Sequence, residues 1–119
     1  MLKVRNCKKS IQIIDYAEQK DYFMIVMERP LDCVDFWDYI NDNGPLDEIK
    51  AKKYFKQIVE GVIELKSNGV LHRDIKDENI LVDLINDEIK IIDFGASTNY
   101  TNQDLYDFHG NYFNLLISN

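Results

Sequence analysis

An α+β fold is the class this sequence predicts, and three observations carry the prediction. Two short runs rich in β-branched and aromatic residues, 11–16 (Ile-Gln-Ile-Ile-Asp-Tyr) and 22–27 (Tyr-Phe-Met-Ile-Val-Met), lie near the start. A long stretch of helical period occupies the middle, and two further apolar runs around a polar turn follow it. Strands gathered early, helices after them and a closing hairpin describe segregated elements rather than alternating βαβ units.

Residues 1–10 are basic and weakly patterned, and no element is predicted there. Runs 11–16 and 22–27 flank a polar stretch at 17–21, which reads as strand, turn, strand. Pro30 has no N–H to donate and ends any ladder. A short helix is predicted over 35–41, stopped by Asn43-Gly44-Pro45. The strongest helix runs over 47–67, where Phe55, Ile58, Val62 and Leu65 recur at spacings of three and four and predict the buried stripe. Asp47 and Glu48 suit the positive end of its dipole, and Asn68-Gly69 offers a left-handed cap at the other end. Ile80-Leu81-Val82 and residues 89–92, around a polar turn at 83–88, read as a hairpin. After Gly95 no period is visible.

With 119 residues, 45% of them hydrophobic, the chain is long enough for one core and too short for two ordinary domains. Twenty-one acidic against 14 basic residues give a net charge of -7, which argues against a nucleic-acid-binding surface and permits basic partners, although by itself it reads first as a solvated acidic surface. Cys7 and Cys33 lack metal-like spacing and form no disulfide framework. No signal peptide is recognisable, and no apolar run approaches a membrane span. A monomer in the cytoplasm, with the nucleus also open to it, and with no membrane or nucleic-acid partner is the expectation.

The informative stretch is Val70-Leu71-His72-Arg73-Asp74-Ile75-Lys76-Asp77-Glu78-Asn79, with Asp93-Phe94-Gly95 following Asn79 by fourteen positions. Any of these pieces alone has a plain reading as a turn, a cap or solvated loop charges. Together, with a strong helix before them and a hairpin between, they resemble the catalytic loop and metal-binding turn of protein kinases. Phosphoryl transfer from ATP needs a carboxylate for the attacking hydroxyl, oxygen ligands for Mg2+ and a cation for the transferred group. The resemblance implies Asp74 as catalytic base, Lys76 as the cation on the γ-phosphate, and Asn79 and Asp93 as magnesium ligands. Small-molecule phosphotransferases of kinase-like fold share part of this pattern, but they usually lack the Lys76 equivalent and the full Asp-Phe-Gly.

Met24-Ile25-Val26-Met27-Glu28-Arg29-Pro30 sharpens the resemblance. In kinases such a strand runs into the hinge, which hydrogen-bonds adenine. Met27 falls at the gatekeeper position, Glu28 retains a carbonyl to offer, and Pro30 stands where the usual N–H donor would be. This hinge, with the catalytic loop, looks like the Pim family of serine/threonine kinases, and the resemblance runs from about residue 11 to residue 110. It implies Leu81 and Ile92 as walls of the adenine pocket; both also suit plain hairpin core. It further implies substrates with basic residues before the target serine or threonine, met by Asp35, Asp38 and Glu78. Asp35 and Asp38 are three apart and share a helical face, although Asp35 reads equally well as a helix cap.

The implied architecture is a partial protein-kinase-like fold. Residues 11–30 would be N-lobe strands and hinge, 31–110 the first half of the helical C-lobe, and 111–119 a divergent tail. No glycine-rich loop, no Val-Ala-x-Lys strand and no Ala-Pro-Glu or Pro-Pro-Glu motif is present. The chain by itself is therefore expected to be weakly active or inactive. Its competing readings are a non-catalytic module that binds basic peptides or a partner protein, and a piece of a longer kinase.

Overall fold

The computed structural model describes residues 2–100. Two strands, β1 (Ile13–Glu18) and β2 (Phe23–Met27), pair antiparallel, with Ile13 opposite Met27 and Glu18 opposite Phe23. The expected hairpin is present, but β1 starts later than the sequence predicts. Ile11 is drawn away from it, because its N–H donates to the Ile91 carbonyl at 2.9 Å and its side chain joins the core. All five residues of β2 are exposed, among them Phe23 and Met24.

A second sheet has the order β3–β5–β6, all antiparallel: β3 (Cys33–Asp35), β5 (Ile80–Asp83) and β6 (Glu88–Ile91). The pleat sorts its side chains by alternation. Ile80, Val82, Ile89 and Ile91 point into the core and are at most 3% exposed. Leu81 and Lys90, opposite one another, occupy the other face. The predicted hairpin at 80–92 is thus confirmed. Its turn is tied by Asp83, whose carboxylate accepts from the backbone N–H groups of Ile85 (2.9 Å) and Asn86 (3.0 Å) and from the Asn86 amide (2.8 Å). These bonds, the Asn86 side chain first, hold the Asp83 carboxyl below the usual carboxylate range.

Helix α1 (Phe36–Asn43) starts at Asp35, whose carboxylate accepts the Asp38 N–H at 2.8 Å, and stops at Gly44, at φ +77°. Helix α2 (Glu48–Ser67) is capped in the same way by Asp47, which accepts the Lys50 N–H at 2.7 Å. Gly69, at φ +74°, closes the far end with its N–H on the Lys66 carbonyl.

The buried stripe of α2 differs from the expected one by one residue. Ile58 and Leu65 are buried and Val62 partly so, but Phe55 is 51% exposed and Tyr54 takes the core position. A phenol has something to gain there that a phenyl ring lacks. The Tyr54 hydroxyl is hydrogen-bonded to the Asp87 carboxylate, and its ring meets Phe36 and Tyr39 edge-on, with centroids at 5.5 and 5.9 Å.

The first ten residues are also not the featureless lead they read as. A 3-10 turn (Leu2–Asn6) buries Val4, and Cys7 and Ser10 are fully enclosed. Lys9 ties this segment to α2 through its N–H on Glu64 (3.3 Å) and its ammonium on Gln57 (3.1 Å). It ties it to β6 through the Ile91 N–H on its carbonyl (2.7 Å). Two short strands, β4 (Val70–Leu71) and β7 (Thr98–Asn99), pair where no period was legible. The last part of the resemblance, up to residue 110, and the tail expected at 111–119 lie outside the described residues.

Candidate active site

The loop after β4 is shaped by one buried imidazole. His72 is 4% exposed, with Nε2 placed 2.9 Å from the Ile92 carbonyl, and its Nδ1 accepts the Asp74 N–H at 3.3 Å. That pairing requires the neutral tautomer with its proton on Nε2. Phe94 packs edge-on against the ring, centroids 4.9 Å apart. Burial lowers the His72 pKa, outweighing the Ile92 carbonyl and the carboxylates of Asp74 and Asp93, which raise it. Arg73 turns the chain at φ +67° and donates from Nε to the Ala96 carbonyl at 2.7 Å, joining the loop to the segment after Gly95.

A pH dependence follows. The folded pKa of His72 lies below the unfolded value of about 6.5. The stability it contributes is therefore complete above that value and is lost as pH falls through the folded pKa. Unfolding free energy measured by denaturant titration should decline as pH drops below about 6.5. That part of the decline should vanish in His72→Phe; an unchanged slope in the variant would assign it elsewhere.

Beyond His72 the loop gathers three of the candidate residues. The Asn79 amide donates to both the carbonyl and Oδ2 of Asp74, each at 2.9 Å. Lys76 Nζ lies 3.7 Å from Asp74 Oδ2 and 3.7 Å from Glu78 Oε2. A 3-10 turn (Asp77–Asn79) makes this possible by bringing residue 79 back under residue 74. The hairpin then brings in Asp93. With Ile80 opposite Ile91, residue 79 faces residue 92, and the Ile92 N–H donates to the Asn79 carbonyl at 2.9 Å. Asp93 is the next residue, at φ +60°, and its Oδ1 accepts the Gly95 N–H at 3.1 Å.

A cavity of about 640 Å3 ends on this aspartate. Ile25, Met27, Glu28 and Pro30 form one wall, Leu81 and Ile92 another, and Asp93, Phe94 and Gly95 the inner end. Met27, Glu28, Leu81 and Ile92, the four residues expected beside a nucleotide, all line this cavity. Arg29 of the hinge stretch lines it too, as do Cys33 and Ile11, which nothing in their sequence context singled out. The Glu28 carboxylate is already engaged: it accepts the Gln12 N–H at 2.9 Å and pairs with Lys90.

The donor set suits magnesium arriving with a phosphate group. Asn79 spends its amide nitrogen on Asp74 and keeps the amide oxygen, a hard donor, while Asp93 offers a carboxylate. Among the described residues no three His, Cys, Asp or Glu side chains form a metal cluster. Two hard oxygen donors leave the remaining positions of an octahedral ion to phosphate oxygens and water, as Mg2+ prefers.

The acidic candidates sit to one side. Asp35 uses its carboxylate as the α1 cap, which the capping reading foresaw, and its charge is the main cause raising the Asp38 pKa. Glu78 lies in the 3-10 turn against which α1 packs and pairs with Lys76.

A carboxylate–amide loop adjoining an aspartate at the end of a hinge-walled cavity defines the kinase-like phosphotransferase class. Residues 1–113 match the protein kinase domain, and the chain belongs to that family. Its relatives are serine/threonine protein kinases. The chain is 41% identical over 110 residues to the serine/threonine-protein kinase prk-2 of Caenorhabditis elegans, covering 92% of this chain and 25% of that protein. It is 43% identical over 101 residues to the serine/threonine-protein kinase pim-2 of Danio rerio, covering 84% and 33%. A probable serine/threonine-protein kinase KIN1 homolog of Enterocytozoon bieneusi is 44% identical over 95 residues, covering 80% and 16%. The chain thus spans a third or less of the length of these relatives, and their similar identities point to the serine/threonine kinases without choosing a subfamily.

Proposed function

We propose that this site belongs to a Pim-like serine/threonine kinase that transfers the γ-phosphoryl group of ATP, with Mg2+, to protein substrates carrying basic residues before the target hydroxyl. The observation that carries the reading is that Asn79 bonds Asp74 through its amide and meets the backbone of Ile92, the residue before Asp93, which lines the hinge-walled cavity. Magnesium-bound ATP supplies the phosphoryl group and part of the charge compensation. Asp74 Oδ2, held by the Asn79 amide, is oriented to accept the proton of the attacking hydroxyl. Lys76, near that same oxygen, offsets charge on the transferred group. Asn79 and Asp93 would hold the metal through their side-chain oxygens. Pro30 leaves the base one hinge hydrogen bond short, so apolar contact with Leu81 and Ile92 carries more of its binding. Asp38 and Glu78, with Asp35 to the extent its capping bond allows, face arginine side chains of the substrate.

For the chain by itself the proposal is weak or absent turnover. Electrostatic catalysis depends on rigid support, and here β2 exposes Phe23, Met24 and Val26, so the hairpin above the cavity has little packed around it. Arg29 is the only cationic side chain lining the cavity among the described residues, and it lies at the hinge end.

The test combines binding and transfer: titrate the chain with ATP with and without Mg2+, then assay phosphate transfer to a basic serine peptide. Metal-dependent ATP binding is expected, with any residual transfer falling about 10^2–10^4-fold in Asp74→Asn. Peptide binding that needs neither ATP nor Mg2+, with no ATP binding at millimolar concentration, would replace the kinase reading with that of a module for basic peptides.

A further inference from the structure

We infer that Lys90 is a positioning residue for the cavity, fixing the hinge residues 27–30 through the Glu28 carboxylate; the inference rests on the nucleotide reading proposed above. The β1–β2 hairpin is attached to β6 at two adjacent positions. On entry the attachment is main chain: the Ile11 N–H donates to the Ile91 carbonyl and the Ile91 N–H to the Lys9 carbonyl. On exit it is made by side chains. Glu28 continues the ladder by exchanging bonds with Gln12, its N–H on the Gln12 carbonyl and the Gln12 N–H on its carboxylate, both at 2.9 Å. That same carboxylate oxygen pairs with Lys90 across 62 residues of sequence.

The pleat explains why Lys90 can reach it. Lys90 is directly opposite Leu81, so the two side chains rise on the same face of the sheet. Leu81 lines the cavity from that face, while Ile89 and Ile91 point into the core. The pair is three-quarters buried, the two side chains being 24% and 29% exposed, so solvent screens it less than a surface pair. The surroundings add to its effect. Asp83, Asp32 and Glu28 all act on the nearby Cys33 thiol in the direction of negative charge, and Lys90 opposes them. Without its cation the Glu28 carboxylate, on a residue that lines the cavity, would stand uncompensated before an incoming polyanion, besides losing the tether of the hinge.

The experiment uses the full chain and four variants, Lys90→Met, Lys90→Arg, Glu28→Gln and the double variant of Lys90→Met with Glu28→Gln, and reads two quantities. The first is affinity for Mg-ATP. Lys90→Met and Glu28→Gln are each expected to weaken it about tenfold, the double variant no further, and Lys90→Arg to stay within about twofold of the parent. The second is amide hydrogen exchange without nucleotide. The Gln12 and Glu28 amides should exchange faster in Lys90→Met, while core amides such as Ile89 keep their protection. If exchange at Gln12 and Glu28 is unchanged, the positioning role is overturned whatever the nucleotide data show. Additive losses in the double variant, or a Lys90→Arg loss as large as that of Lys90→Met, also overturn it. Absent ATP binding in the parent, with exchange accelerated as expected, removes the nucleotide reading of the cavity and leaves the tether standing.

Discussion

Asp93→Asn is expected to lower the affinity of the chain for Mg-ATP about a hundredfold while leaving affinity for ATP in excess EDTA unchanged, a loss of about 3 kcal/mol. The substitution is local for two structural reasons. Asp93 sits at φ +60°, a conformation that asparagine adopts as readily as aspartate. Its Oδ1 accepts the Gly95 N–H, a bond the asparagine amide oxygen can keep. What the variant loses is charge, and a hard divalent cation feels that loss most. Isothermal titration with and without Mg2+, alongside a melting curve, separates the cases. Equal Mg-ATP affinity in the variant and the parent would remove Asp93 from the metal site, and a melting shift of several degrees would mean that the turn, not the metal, had been disturbed.

The same residues show how much of this site was legible in the sequence. Asp74, Lys76 and Asn79 lie within six positions, so a local loop joins them and their spacing is informative. Asp93 was legible because the hairpin between is itself local, with strand alternation and a polar turn. The Glu28–Lys90 pair was not, because Glu28 was read for its backbone carbonyl alone and Lys90 does not differ from an ordinary surface charge until β6 is placed beside the hinge. Cys33 belongs with it: three residues of β3 are too few to show a period, and only pairing with β5 puts the thiol on the cavity wall.

The core shows the same division. The α2 period was visible, but its phase was not. Tyr54 and Phe55 are adjacent aromatic residues, and the choice between them is made by Asp87, thirty-three residues away, which accepts from the phenol. The first ten residues looked unpatterned because Val4, Cys7 and Ile11 are spaced to fit a turn and a bridge to β6 rather than a helix or strand period. Asp35 carried two meanings on one carboxylate, and its observed bond to Asp38 N–H shows the capping one.

Gly61→Val should destabilise the fold by about 2–3 kcal/mol, and the argument turns on how close α2 and β6 lie. A Cβ at position 61 would stand 2.8 Å from Ile91 Cδ1 and 3.1 Å from Lys9 Cβ. In an open helix, replacing glycine by alanine would gain about 1 kcal/mol of propensity. Here that gain is offset, because the Ile91 side chain, fully buried, must change rotamer in a filled core and the Lys9 backbone must yield. Gly61→Ala should therefore be near neutral, since a terminal methyl can swing aside. Valine adds two γ-methyls and has one strongly preferred rotamer in a helix, so it has no escape but to push β6 outward. That displacement would travel two residues along the chain to Asp93, so Mg-ATP affinity should fall together with stability. Urea unfolding of both variants gives the comparison. A valine variant as stable as the parent would mean that α2 and β6 are not in the close contact on which the placement of Asp93 depends.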